Sequence, residues 1–262
     1  MRPARRAVLW VALVLSALEP AVPIAPVLAG DASEAAPAGG APAAPLAQPA
    51  EARLLAALRS KIPIDAAAIS EDPYLKWGSQ SPPRAPPGTV CGVRFGPDQV
   101  HYRLATFASA QEARTAGFAV THYDACGTCS TLQDLAVYLG RPDLTTPVRW
   151  CGIRADAAAS LRCLESLGFS NACAQTWRYN VQNTRHQCWG VCLWSWISGE
   201  APTRADGRLN TCLQCDEDRS GPIFKAIAGR TRRNSGIHSS IPRPDEEIAP
   251  VVHDYVPDLA PK

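Results

Sequence analysis

Charge is scarce and balanced in this sequence. Only 19% of its 262 residues are charged, with 26 Lys and Arg against 24 Asp and Glu. That is too little for a polyelectrolyte-like disordered chain or a long coiled coil. Arg2, Arg5, Arg6 and Glu19 all fall in the first 29 residues, so the remainder carries no net charge. A neutral chain has no global field for nucleic acid or an anionic membrane, and no nucleic-acid partner is expected. Asn171, Asn180, Asn183, Asn210 and Asn234 are the only asparagines, and none begins an N-x-Ser/Thr sequon. There is no P-loop, dinucleotide fingerprint, G-x-S-x-G elbow or metal-spaced histidine pair. ATP, NAD and α/β-hydrolase chemistry are therefore not expected, and no cofactor or metal is assigned. No repeat of fixed period is visible.

What is present is cysteine, proline and an N-terminal apolar run. Arg2, Arg5 and Arg6 precede Ala7–Leu18, and Val27-Leu28-Ala29 supplies small residues for cleavage after Ala29. Residues 1–29 read as an export signal. Their apolar run is shorter than the ~20 residues of a membrane span, so no stable span is expected after cleavage. Residues 30–49 form an Ala/Pro linker that lacks large side chains to offset ordering entropy. Residues 50–87 hold a short helix and a Pro-rich loop, 88–240 the globular body, and 241–262 an extended Pro-rich tail.

All ten cysteines lie in the body: Cys91, Cys126, Cys129, Cys151, Cys163, Cys173, Cys188, Cys192, Cys212 and Cys215. An even count in an exported chain predicts disulfides and a secreted or periplasmic location.

The first half of the body shows strand and helix signals in alternation. Val100–Thr106 alternates as a strand, Ser109-Ala-Gln-Glu112 is a capping box, Phe118–Tyr123 reads as a second strand, and Ser130-Thr-Leu-Gln133 is another capping box. The second half reads as helices. Asp156 and Ser170 are candidate caps, Thr184-Arg-His-Gln187 looks like the start of a further helix, and Pro222 suits the first turn of a last one. The expected fold is α+β: a small strand–helix–strand sheet followed by a helical, disulfide-rich half.

Cys126-Gly-Thr-Cys129 follows a predicted strand and opens a predicted helix, where the helix dipole would favour a thiolate. Over 118–139 this resembles the thioredoxin-like oxidoreductases, and the resemblance implies a redox pair. The stretch CGTCS also looks like the C-G-x-C signature of papain-like cysteine proteases, which would put the nucleophile at Cys129. With Cys212-x-x-Cys215, the same motif has the spacing of a four-thiolate zinc site. The remaining alternative is that all four are bridge partners. Cys188 and Cys192 share one helix face, so each should bond to a neighbouring element, with Cys163 and Cys173 as candidate partners.

His122 and Asp124 precede this motif and could form an acid/base pair. Gln133 and Asp134 follow it. Asp216 and Glu217 adjoin Cys215, and Arg232 and Arg233 lie in a loop bracketed by Gly229 and Gly236. Brought together, these groups would suit cofactor-independent hydrolysis or elimination on an anionic or sugar-like substrate, with His122, Asp124, Asp216 and Glu217 catalytic and Gln133, Asp134, Arg232 and Arg233 binding. A different class is a non-catalytic secreted module that binds a small molecule or glycan. It would use Trp194 among Trp177, Tyr179, Trp189 and Trp196. Exposure of the tryptophans decides whether this cluster binds or is core.

Overall fold

A computed structural model describes residues 47–257 apart from 79, 81 and 155. The expected leader, and all but the last three residues of the linker, lie outside these. The fold is α+β.

The chain begins with α1 (Ala47–Ser60), β1 (Ile62–Pro63) and α2 (Pro73–Trp77). It then forms β2 (Val90–Phe95), β3 (His101–Phe107), α3 (Ala110–Thr115) and β4 (Ala119–Tyr123). The four strands make one mixed sheet in the order β1-β3-β2-β4. β2 is antiparallel to both neighbours, while β1 runs parallel to β3. β2 is one of the two interior strands of the sheet, yet its sequence carries no strand alternation strong enough to predict it. Its Gly92 has a reason: a Cβ there would lie 2.8 Å from the Phe118 Cβ and 3.0 Å from the Phe107 ring. The missing side chain admits the Phe107–Phe118 ring pair, whose centroids are 4.9 Å apart.

The helical half holds α4 (Leu132–Gly140), α5 (Thr145–Gly152), α6 (Ala157–Ser166), α7 (Asn171–Ile197), α8 (Thr211–Arg219) and α9 (Gly221–Ala228). Ser109, Asp156 and Ser170 cap α3, α6 and α7 as their spacing predicts, each side chain accepting from a backbone amide of the first turn. Two signals land differently. α4 is capped by Thr131 rather than Ser130, because the Ser130 hydroxyl is occupied by His122 and the Gly127 amide. Thr184 starts no helix. Its hydroxyl bonds to the Asn180 carbonyl and to Asp216, and α7 runs unbroken past it.

One core joins sheet and helices through Leu58, Val93, Tyr102, Leu132, Leu135, Leu164 and Phe169. Leu58 places α1 in that core, and Leu55 covers Gly140 of α4.

All ten cysteines are paired: Cys91–Cys126, Cys129–Cys173, Cys151–Cys163, Cys188–Cys215 and Cys192–Cys212. Cys188 and Cys192 do reach a neighbouring element, but it is α8. The proposed partners Cys163 and Cys173 are taken by Cys151 and Cys129, because α6 packs on α5 and the start of α7 lies under the CGTC loop. Five bridges fit an extracellular or otherwise oxidising compartment.

Candidate functional site

The loop before α4 and the loop after α9 are locked together. The amides of Thr128 and Cys129 donate to the carbonyls of Ile227 and Ala228, both at 2.9 Å. This brings the fully buried Arg230 under the sheet. All five of its N–H groups are used: Nε on the Cys129 carbonyl, Nη1 on the Thr121 carbonyl and Ser235 Oγ, Nη2 on Thr121 Oγ1 and the Ser130 carbonyl, at 2.8–3.2 Å. His122 lies alongside. Its Nδ1 is 2.6 Å from the Tyr123 carbonyl, which can only accept, so Nδ1 carries the proton and Nε2 accepts from the Ser130 hydroxyl at 2.8 Å. Burial, with the Arg230 charge adding to it, pushes the His122 pKa well below its ordinary value. The imidazole is neutral and sealed from solvent.

The C-terminal tail closes the network. Thr121 meets the Tyr255 hydroxyl at 2.8 Å, Tyr255 meets His253 Nδ1 at 3.0 Å, and His253 Nε2 meets the Ser235 carbonyl at 2.9 Å. Burial and Arg230 lower the His253 pKa to about 4. The folded form therefore resists protonation that the unfolded chain accepts near pH 6.5, so stability is lost as pH falls from 6.5 toward 4. Asp134 works in the opposite sense. Burial raises it to about 6, against hydrogen bonds from Thr131 and Ser170, so its contribution is lost as pH rises from about 4 to 6. Comparison with His253→Gln isolates the histidine. The wild type should lose about 1–2 kcal/mol more than the variant between pH 7.5 and 5, measured by urea denaturation. Parallel pH curves would remove His253 from this account.

The other expected site residues are dispersed. Gln133 donates to the Gly168 carbonyl at 2.9 Å. Asp134 is buried and accepts from Thr131 and from both the amide and hydroxyl of Ser170. Arg232 donates to the carbonyls of Tyr138, Arg141 and His238. Asp216 faces α7, bonded to Thr184 and Asn180, and burial raises its pKa. Burial alone would raise Glu217 too, but the Lys225 ammonium 2.6 Å away, with Arg233 and Arg243, holds it below the usual carboxylate range.

Asp124 is exposed, at φ +68°, and bonded by Asn234. It shares an open cleft of about 410 Å³ with Lys225 and Arg233, bordered by Glu247, which pairs with Arg233 at 2.7 Å. The cleft thus gathers Asp124 and Arg233, and Glu217 reaches its edge through Lys225. His122 and Asp134 are buried elsewhere in the fold.

Cys126 and Cys129 are bonded to separate partners, so CGTC forms no vicinal redox pair and Cys129 carries no free thiol. Cys212 and Cys215 are likewise spent on α7. No group of three or more potential metal ligands occurs among the described residues.

The tryptophans divide. Trp177 packs between Phe169 and Phe224. Beyond it, Cys188 and Cys192 form the seam that α8 covers, and Ser195 is buried one turn further on. Trp189 is 58% exposed, Trp194 65%, Trp196 72% and Ile197 65%. The two bridges to α8 fix this end, so the aromatic face is displayed on a rigid support. Trp189 and Trp196, seven residues apart, share one side of the helix, which sequence spacing could have revealed, while Trp194 lies on the other flank of the exposed arc. What spacing could not show is which face α8 takes. No helix among the described residues is long and apolar enough to cross a membrane.

Residues 157–251, from the start of α6 to the tail segment, match the model of a family of unknown function, DUF8771. No curated protein and no solved structure matches the chain.

Proposed function

We propose that the protein is exported to an oxidising compartment and acts there as a non-catalytic binding module, with the aromatic end of α7 as its contact surface. The observation that carries this is the exposure of Trp189, Trp194 and Trp196 on a helix end held by two disulfides. Three indoles in water forgo burial worth about 1.5–3 kcal/mol each, which a binding partner would recover. Around Trp194–Ile197 the surface offers few side chains that could hydrogen-bond a sugar hydroxyl. It suits an apolar or amphipathic ligand better than a glycan.

The folded protein should therefore bind the dye 1-anilinonaphthalene-8-sulfonate with a blue shift of tryptophan emission. The triple variant W189A/W194A/W196A should reduce dye binding about tenfold, with unchanged circular dichroism, because only exposed groups are removed. Equal dye binding by both proteins would end this reading.

The cleft supports a second reading, a hydrolase or lyase acting on an anionic substrate. Asp124 and Arg233 converge there with Lys225 beside them. Under this reading D124N and R233A each lower turnover of an anionic ester by about 100-fold, within the range for a lost acid/base or anion-binding group. Turnover unaffected by both substitutions would remove it.

A further inference from the structure

α7 carries a second pattern along the side that bears Trp189 and Trp196. Arg178, Arg185, Trp189 and Trp196 stand at i, i+7, i+11 and i+18, so they follow one stripe of the helix. Arg178 bonds Gln175 and Gln182, which lie on the same side and extend the polar part of the stripe. Over about 16 Å from Arg185 to Trp196 the stripe passes from basic and amide side chains to indole and aliphatic ones. Gln182, Arg185, His186 and Trp189 line a shallow hollow of about 420 Å³ where its polar and aromatic parts meet. Among its 27 residues α7 has two arginines and no carboxylate. The loop that follows adds Glu200 and Asp206: Asp206 pairs with Arg208, while Glu200, bonded by the Thr211 hydroxyl, stays anionic and is offset by Arg204 of the same loop.

We infer that this face docks on an anionic lipid surface, with Trp189 and Trp196 at the acyl boundary and Arg178 and Arg185 at the phosphates above it. The inference rests on the binding role proposed for the aromatic face and names its partner. Three features favour a bilayer over other occupants. A helix with an aromatic apolar side and cationic neighbours is the arrangement that lies in a membrane interface, where indoles concentrate. The charge of the helix is of one sign and matches an anionic leaflet, a local field that the neutral chain as a whole does not produce. A bilayer sets no minimum contact area, because each exposed side chain gains separately by entering it.

The test is co-sedimentation of the purified protein with phosphatidylcholine vesicles, with and without about 30% phosphatidylglycerol. Anionic vesicles should bind about tenfold more protein than neutral ones and shift tryptophan emission to the blue. W189A/W196A should reduce that binding about tenfold, while R178Q/R185Q should reduce it several-fold and flatten its salt dependence. Three results overturn the inference: equal binding to both vesicle types, retention by the double tryptophan variant, or self-association that W189A/W196A abolishes. Absent vesicle binding with intact dye binding sinks the lipid surface and leaves the binding role standing. Absent binding in both assays sinks the two together.

Discussion

Replacing Arg230 by Met is expected to lower the unfolding free energy by about 3–5 kcal/mol, enough to unfold many domains of this size. The reason lies in what the substitution leaves behind. Three carbonyls (Thr121, Cys129, Ser130) and two hydroxyls (Thr121, Ser235) lose a charged donor at once, in a place water does not reach. Buried acceptors without donors cost about 1–3 kcal/mol each where the structure cannot relax. Asp134, whose ionised form Arg230 supports, would also lose that support. Lysine is no substitute, since its ammonium has three donors and none of the planar fork. Arg230→Lys should therefore recover less than half of the loss. Urea denaturation under non-reducing conditions, followed by circular dichroism, measures both. A loss below about 1 kcal/mol for Arg230→Met would mean that the five bonds do not organise this part of the fold.

The position of Arg230 shows where sequence reading stops. It stands two residues before Arg232 and three before Arg233, in a run that looks like one basic surface patch. The structure buries the first, turns the second onto carbonyls of the α4 end, and leaves the third at the cleft. Nothing local separates them, because the difference comes from Ile227 and Ala228 meeting the CGTC loop 100 residues earlier. Features set within one turn of chain were legible. Ser109, Asp156 and Ser170 cap because a short oxygen-bearing side chain beside free amides suffices.

Features set by distant neighbours were hidden. Val90–Phe95 becomes an interior strand only because two others flank it, and Cys188 finds Cys215 only because α8 folds back on α7. The aromatic cluster lies between these cases. Its richness is plain in the sequence, but Trp177 joins the core and Trp189 does not, and that depends on where Phe169 and Phe224 end up. The α+β class and the disulfide content were legible, since both follow from composition and periodicity. The sequence singles out the polar residues around the CGTC motif but does not say which of them meet, and the structure brings Asp124 and Arg233 to one cleft.

Two glycines with nearly the same backbone angle separate conformational cost from close approach. Gly207 has φ +79°, and a Cβ there would meet nothing within 4 Å. Gly229 has φ +71°, and its Cβ would lie 2.5 Å from the Ala125 carbonyl oxygen and 2.6 Å from the Gly127 amide nitrogen. Both substitutions to Ala incur the positive-φ penalty of about 1–2 kcal/mol. Only Gly229→Ala must also push two backbones apart, because its neighbours are main-chain atoms that no rotamer change can move. Forced displacement of packed structure adds about 1–3 kcal/mol. Gly229→Ala should thus cost about 3–4 kcal/mol and Gly207→Ala about 1 kcal/mol. The excess falls on the contact that holds Arg230 in place: Gly229 precedes it directly, and the Thr128–Ile227 and Cys129–Ala228 bonds adjoin the approach. Loosening it should expose the Arg230 network to water and speed exchange of the Thr128 and Cys129 amides, which hydrogen exchange reads directly. Equal destabilisation by the two substitutions would show that the two loops do not depend on this approach.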